Sequence, residues 1–205
     1  MPQPTSAASV SRREKARLRL VSQGLTVQRW QSAEEVARAF GVMQGQDLHS
    51  VRRSLALRAQ DHSDAENIVR GYPMRHTLFA ASIKDIGWIT ELCAKRRKGD
   101  AELLAAVNKL IDRPLSRAEL KERATTTLPE VPFWHVVRVA MESGHAVYSG
   151  ADQLITLADL PGLEEIYNGD KVAATTELMT RYFRTHGPAT LGDFAWWTKL
   201  PQRLI

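Results

Sequence analysis

Three times along the chain a hydroxyl residue is followed, three positions later, by an acid and then an apolar residue. The copies are Ser32-Ala33-Glu34-Glu35-Val36-Ala37, Ser116-Arg117-Ala118-Glu119-Leu120-Lys121 and Thr190-Leu191-Gly192-Asp193-Phe194-Ala195, spaced by 84 and 74 residues. A Ser or Thr at this spacing caps the amide of the third helical residue while the acid reaches back to the cap, so each copy opens a helix. Ser11 with Glu14, and Ser82 with Asp85, have the same spacing. Apolar residues then recur at helical intervals: Val36, Ala37 and Phe40; Leu48, Val51 and Leu55; Ile86, Ile89, Leu92 and Cys93; Leu103, Leu104, Val107 and Ile111. Gly24, Gly41, Gly99, Gly144 and Gly187 stand where these patterns stop. Pro132 suits the first turn of a helix running to about Ser143.

Each of the three copies opens a short helix behind a longer one, and the first two continue into a further helix and a β segment. That is the order of a winged helix-turn-helix. Strand signals are few: Arg75–Ala81, and a hairpin of His145–Ser149 and Gln153–Leu157 around Gly150-Ala151-Asp152. The expected fold is therefore mainly α with small β wings, built as tandem winged helix-turn-helix units. The divisions are a disordered leader at 1–11, a first unit at 12–82, bridging helices at 83–111 and a second unit at 112–160. Residues 161–205 supply helices at about 171–186 and 190–198, which either start an incomplete third unit or cap the second. Phe40, Leu48, Val51, Leu55, Trp88 and Leu92 are the expected core.

Charge is unevenly placed. Residues 1–100 hold 17 Lys/Arg against 10 Asp/Glu, and the rest of the chain 11 against 13, giving the net +5. A basic half fits either a polyanion partner or a solvated basic surface. No apolar run approaches the ~20 residues that span a bilayer, which argues against a membrane partner. The single cysteine, Cys93, excludes an internal disulfide framework and a cysteine zinc cluster. A cytoplasmic setting is the expectation, nucleoid-associated if the source is bacterial.

Several chemistries are absent from the sequence: no Walker A loop, no G-x-G-x-x-G, no G-x-S-x-G and no H-E-x-x-H. The six histidines include no zinc-helix pair, and His135 reads as a helix side chain beside Trp134. Neither a metal nor a cofactor is expected. The unusual polar segment is Gln44-Gly45-Gln46-Asp47. If it is extended, both amides fall on one side; the plain alternative is a polar turn capping the next helix. Asp47 suits either that N-cap or a source of negative potential. Arg52, Arg53 and Arg58 follow, interleaved with the apolar face, as candidate phosphate contacts. Lys95-Arg96-Arg97-Lys98 suits either phosphate or the end of a helix dipole.

The pattern resembles the AlkZ-like winged-helix DNA glycosylases. Val42-Met43-Gln44-Gly45-Gln46-Asp47 is similar to that family's Q-apolar-Q catalytic motif. Tyr72-Pro73-Met74-Arg75-His76-Thr77-Leu78-Phe79, with Asp85 and Trp88 beyond it, resembles its Met-Arg-Gly-Thr-Leu segment. Gly187-Pro188-Ala189-Thr190-Leu191-Gly192-Asp193-Phe194-Ala195-Trp196-Trp197 resembles the start of its third winged-helix unit. Gly45 stands where the family usually has a small or aliphatic residue, and His76 where it usually has glycine. Family members continue through a complete third unit and a β-barrel, so this chain matches the N-terminal half to two-thirds.

The resemblance implies hydrolysis of the N-glycosidic bond of alkylated bases, and in some members crosslink unhooking, on double-stranded DNA and without a cofactor. Gln44 and Gln46 would be catalytic, and Arg75 and His76 would join the DNA-contacting residues. Monofunctional glycosylase activity is expected of a full-length form. The alternative is a non-catalytic winged-helix DNA-binding protein or transcription regulator, in which the glutamines only position the recognition segment.

Overall fold

The computed structural model describes residues 10–93, 95, 100–150, 153–156, 166–167 and 169–205. It is mainly helical, with a small antiparallel sheet. The elements run α1 (Arg12–Ser22), α2 (Ala33–Phe40), β1 (Met43–Gln44), α3 (Leu48–Ala56), β2 (Ile68–Met74), β3 (Thr77–Ser82) and α4 (Ile86–Cys93). They continue α5 (Asp100–Leu110), β4 (Leu115–Ser116), α6 (Arg117–Thr127), α7 (Phe133–Glu142), β5 (Ala146–Ser149), β6 (Gln153–Thr156), α8 (Lys171–His186) and α9 (Leu191–Thr198).

The repeated hydroxyl residues open their helices as the spacing requires. Ser32, Ser116 and Thr190 accept from the amides of Glu35, Glu119 and Asp193, and both Ser11 and Thr190 close full capping boxes. Ser82 departs from the pattern. Its hydroxyl accepts from Lys84 N and donates to Glu34, while Asp85 turns to the Trp88 indole, 2.9 Å away, and to Arg181, 2.7 Å away. A buried carboxylate gains more from a cation and an indole N–H than from a helix amide that water can also serve.

Both sets of elements run helix, helix, helix, hairpin, but their wings are not separate. The sheet order is β1-β3-β2-β5-β6-β4, and Val69 and Arg70 of the first hairpin pair with Ser149 and Tyr148 of the second. Helix α1 packs against α8, across most of the sequence, and buries none of its side chains. Strand β2 has no counterpart in the sequence reading. It is buried on both faces, so it lacks alternation, and it contains Gly71 and Pro73; its register with β3 shifts between Gly71 and Met74.

Three apolar clusters share this frame. One lies between the sheet, α4, α8 and α9 around Trp88 and Phe194; one holds α5, α6 and α7 against β4–β6; one joins α2 and α3 around Val36 and Leu55. Phe40, Val51, Leu55, Trp88 and Leu92 are buried as expected. Leu48 is only half-buried, because it occupies the first turn of α3. No helix among the described residues is long and apolar enough to cross a membrane.

Candidate functional site

Strand β1 is two residues long and pairs antiparallel with β3, Met43 opposite Ala80 and Gln44 opposite Phe79. Gly45 extends this edge: its N–H donates to Leu78 O at 3.0 Å. Its carbonyl accepts from Nη1 of Arg70 at 3.3 Å, a buried arginine of β2 whose Nη2 also donates to Gly150 O. The peptide between the two glutamines is thus held from both sides. A Cβ on Gly45 would lie 2.5 Å from the carbonyl carbon of Phe79 and 2.6 Å from the amide nitrogen of Ala80. Even a methyl group at this position would meet the backbone of β3.

Gln44 and Gln46 are both exposed and line one cavity of about 640 Å³. Phe40, Met43 and Phe79 give it apolar walls, Arg58, Arg75 and Thr77 polar ones, and His186 and Trp197 close it from α8 and α9. Among the described residues no carboxylate lines it, and no group of three His, Cys, Asp or Glu is placed to hold a metal ion. The cavity therefore offers neutral amides inside a positive rim.

His186 is ordered by its surroundings. Its ring stacks on Tyr182 at 4.5 Å between centroids, meets Phe40 edge-on, and has Nδ1 2.9 Å from Thr185 Oγ1. The Thr185 hydroxyl donates its one proton to Arg181 O at 2.8 Å, so it accepts from His186 Nδ1–H. Burial, reinforced by Arg58, holds the imidazole pKa below its usual range, while a backbone hydrogen bond opposes that shift.

The other residues singled out in the sequence are distributed more widely. Asp47 is the N-cap of α3, accepting from Ser50 N at 2.7 Å, and this hydrogen bonding lowers its pKa; it does not line the cavity. Arg58 corrects the expectation of an open phosphate contact. It is 7% exposed, donates to Gln23 O and to Ser54 O and Oγ, and lies over the Phe40 ring at 5.2 Å. The helix ends at Ala56 and the chain beyond it is buried at Arg58 and Ala59, which encloses the guanidinium.

Arg52 and Arg53 are exposed on α3 and do not line the glutamine cavity; Arg52 lines a different one, beside Arg70 and Ser149. Arg75 lines the glutamine cavity from the β2–β3 turn. His76, beside it, pairs with Glu142 of α7. Lys95 is exposed, whereas Arg96, Arg97 and Lys98 lie outside the described residues.

His186 and Trp197 are the site residues that sequence reasoning missed, since neither had a pattern of its own. The nearest signal was the Gly187–Trp197 segment of the family resemblance, which ends on one of them.

The family model described as DNA glycosylase AlkZ-like matches residues 37–204. The fold is similar to that of a DNA glycosylase AlkZ from Streptomyces sahachiroi, with a TM-score of 0.67 and 17% sequence identity. That similarity covers 91% of this chain and 61% of the Streptomyces protein, so the chain spans under two-thirds of its length. No curated protein sequence matches. The family match takes in the Gln44–Gln46 edge, the β2–β3 hairpin and the Gly187–Trp197 segment together, and the chain belongs to the AlkZ-like DNA glycosylase family.

Proposed function

We propose that the chain binds double-stranded DNA and hydrolyses the N-glycosidic bond of an alkylated base without a cofactor. The observation that carries this reading is the pair of exposed amides, Gln44 and Gln46, fixed on either side of a glycine with no room for a side chain and lining one cavity. A base alkylated at a ring nitrogen already carries positive charge, so it departs without a strong general acid. The remaining work is to place a water at the anomeric carbon and to tolerate an oxocarbenium-like sugar. A carboxamide donates and accepts at once, so two of them can orient that water.

The positive rim would oppose a cationic sugar in isolation. In DNA, the phosphates flanking the nucleotide offset Arg58 and Arg75 and supply the negative field that the cavity itself lacks. Asp47 is engaged by its helix, so this reading gives it no part in the chemistry.

The test is release of free base from alkylated duplex DNA, with thermal melting alongside. Gln44→Ala and Gln46→Ala should each slow release by about 30- to 1,000-fold, as removal of one preorganised hydrogen bond commonly costs ~2–4 kcal/mol. Both side chains are solvated, so the melting temperature should hold. Undiminished release in the double variant would overturn the assignment. Intact DNA binding with no release by the unmodified chain would leave the non-catalytic DNA-binding reading.

A further inference from the structure

Trp196 neighbours Trp197, a wall of the glutamine cavity, yet it is 60% exposed. Trp134 of α7 is exposed to the same degree, so what distinguishes Trp196 is the company its ring keeps. Its ring faces two cations instead of a core: Arg75 Cζ lies 4.4 Å and Lys199 Nζ 4.9 Å from the ring centroid. Both cations are themselves exposed.

The backbone at these cations is left-handed. Among the described residues, the non-glycine positions with positive φ are Arg75 at 57°, His76 at 53° and Lys199 at 58°. All three line a second cavity of about 340 Å³, and Arg75 lines the glutamine cavity as well. A two-residue hairpin loop, here between Met74 and Thr77, needs positive φ at both of its positions, and a helix commonly ends on a left-handed residue such as Lys199. Here two separate turns, the β2–β3 turn and the end of α9, bring their cations to one indole.

We propose that Trp196 is a stacking platform for an unpaired DNA base beside the glutamine cavity, with Arg75 and Lys199 taking the flanking phosphates. The proposal rests on the DNA reading above. An enzyme that draws a nucleotide out of a duplex leaves an unstacked base behind, and an indole face is its natural support. An exposed cation–π contact is weak, so Arg75 and Lys199 can exchange the ring for a phosphate when a base arrives. An apolar protein partner would instead have to bury two cations without counter-charge. Charge complementarity therefore selects the nucleic acid.

The experiment compares binding to an uninterrupted duplex and to a duplex with one abasic-site analogue opposite an unpaired base, by fluorescence anisotropy and by quenching of tryptophan emission. The unmodified chain should prefer the interrupted duplex and be quenched by it. Trp196→Ala should weaken binding to that duplex by about 5- to 150-fold, the range for removing one base–aromatic stack, and bind the uninterrupted duplex nearly as before. Trp196→Phe should keep most of the affinity and lose most of the quenching.

The proposal is overturned if Trp196→Ala binds the interrupted duplex within twofold of the unmodified chain, or weakens on both duplexes equally. It is also overturned if the unmodified chain shows no preference. Absence of base release by the unmodified chain with the preference intact would refute the glycosylase reading alone.

Discussion

Gly45→Ala is the smallest change that tests how the two glutamines are held. Gly45 itself needs no left-handed backbone, so the penalty is wholly one of space. The new Cβ would sit 2.5 Å from Phe79 C and 2.6 Å from Ala80 N, about 1 Å inside ordinary contact, and both obstacles are backbone. No side chain can rotate to relieve it, so β1 must move away from β3. Overpacking of this kind costs typically ~1–3 kcal/mol.

Separation also stretches the Gly45 N–H to Leu78 O bond, worth ~0.5–1.5 kcal/mol, and weakens the Arg70 bond to Gly45 O. The expected loss is about 2–4 kcal/mol, which for a chain of this length lowers the melting temperature by roughly 4–16 °C. Because Gln44 and Gln46 ride on the displaced edge, base release should fall further than stability explains, by at least about tenfold under conditions where the variant is fully folded. Urea titration with base-release kinetics reads both. A variant melting within about 1 °C of the unmodified chain, with full release, would refute the view that this glycine fixes the site.

Asp85→Asn tests the buried carboxylate that joins α4 to α8. Asn keeps an acceptor for the Trp88 indole but removes the charge facing Arg181 Nη1, side chain 12% exposed, which keeps Glu177 on its Nε. With that second carboxylate in place the expected loss is about 1–3 kcal/mol, less than for an isolated buried pair. A loss below 1 kcal/mol by urea titration would contradict that role. Cys93 is 5% exposed, and burial pushes its thiol up to about 12 from 9.0. Above pH 9 the unfolded chain therefore releases a proton that the folded chain retains. The thiol's contribution is complete below pH 9 and is lost as pH rises toward 12. The native chain at pH 8 should react with a thiol reagent only as fast as it unfolds, and equal rates in the presence and absence of denaturant would disprove burial.

The legible part of the fold was whatever the chain decides locally. Ser32, Ser116 and Thr190 cap their helices because a hydroxyl three residues before a free amide satisfies it regardless of tertiary context. The β5–β6 hairpin was visible because a glycine-containing polar break separates two short apolar runs. What could not be read is what distant segments decide. Strand β2 hides behind Gly71 and Pro73 and is buried on both faces, and its pairing with β5 merges two hairpins into one sheet. Arg70 looks like any basic residue until that sheet encloses it and presents its guanidinium to Gly45.

The same division explains the candidate site. Gln44-Gly45-Gln46 is a local pattern, and its extended geometry follows from the glycine's place on a sheet edge. Its surroundings are not local: His186 and Trp197 arrive from more than 130 residues away, carried by α8 and α9. Arg58 was harder to place, since its nearness to Arg52 and Arg53 suggests another solvated cation, whereas it lies beyond the end of α3 and the carbonyls of Gln23 and Ser54 hold it inside. Sequence patterns identify which groups can do chemistry, because that depends on residue type and near spacing. Which cations face the chemistry and which only hold the frame depends on long-range packing. Hence Arg70 and Arg58, the two most enclosed arginines around the glutamines, fix the frame, while Arg75 keeps its side chain exposed at the cavity.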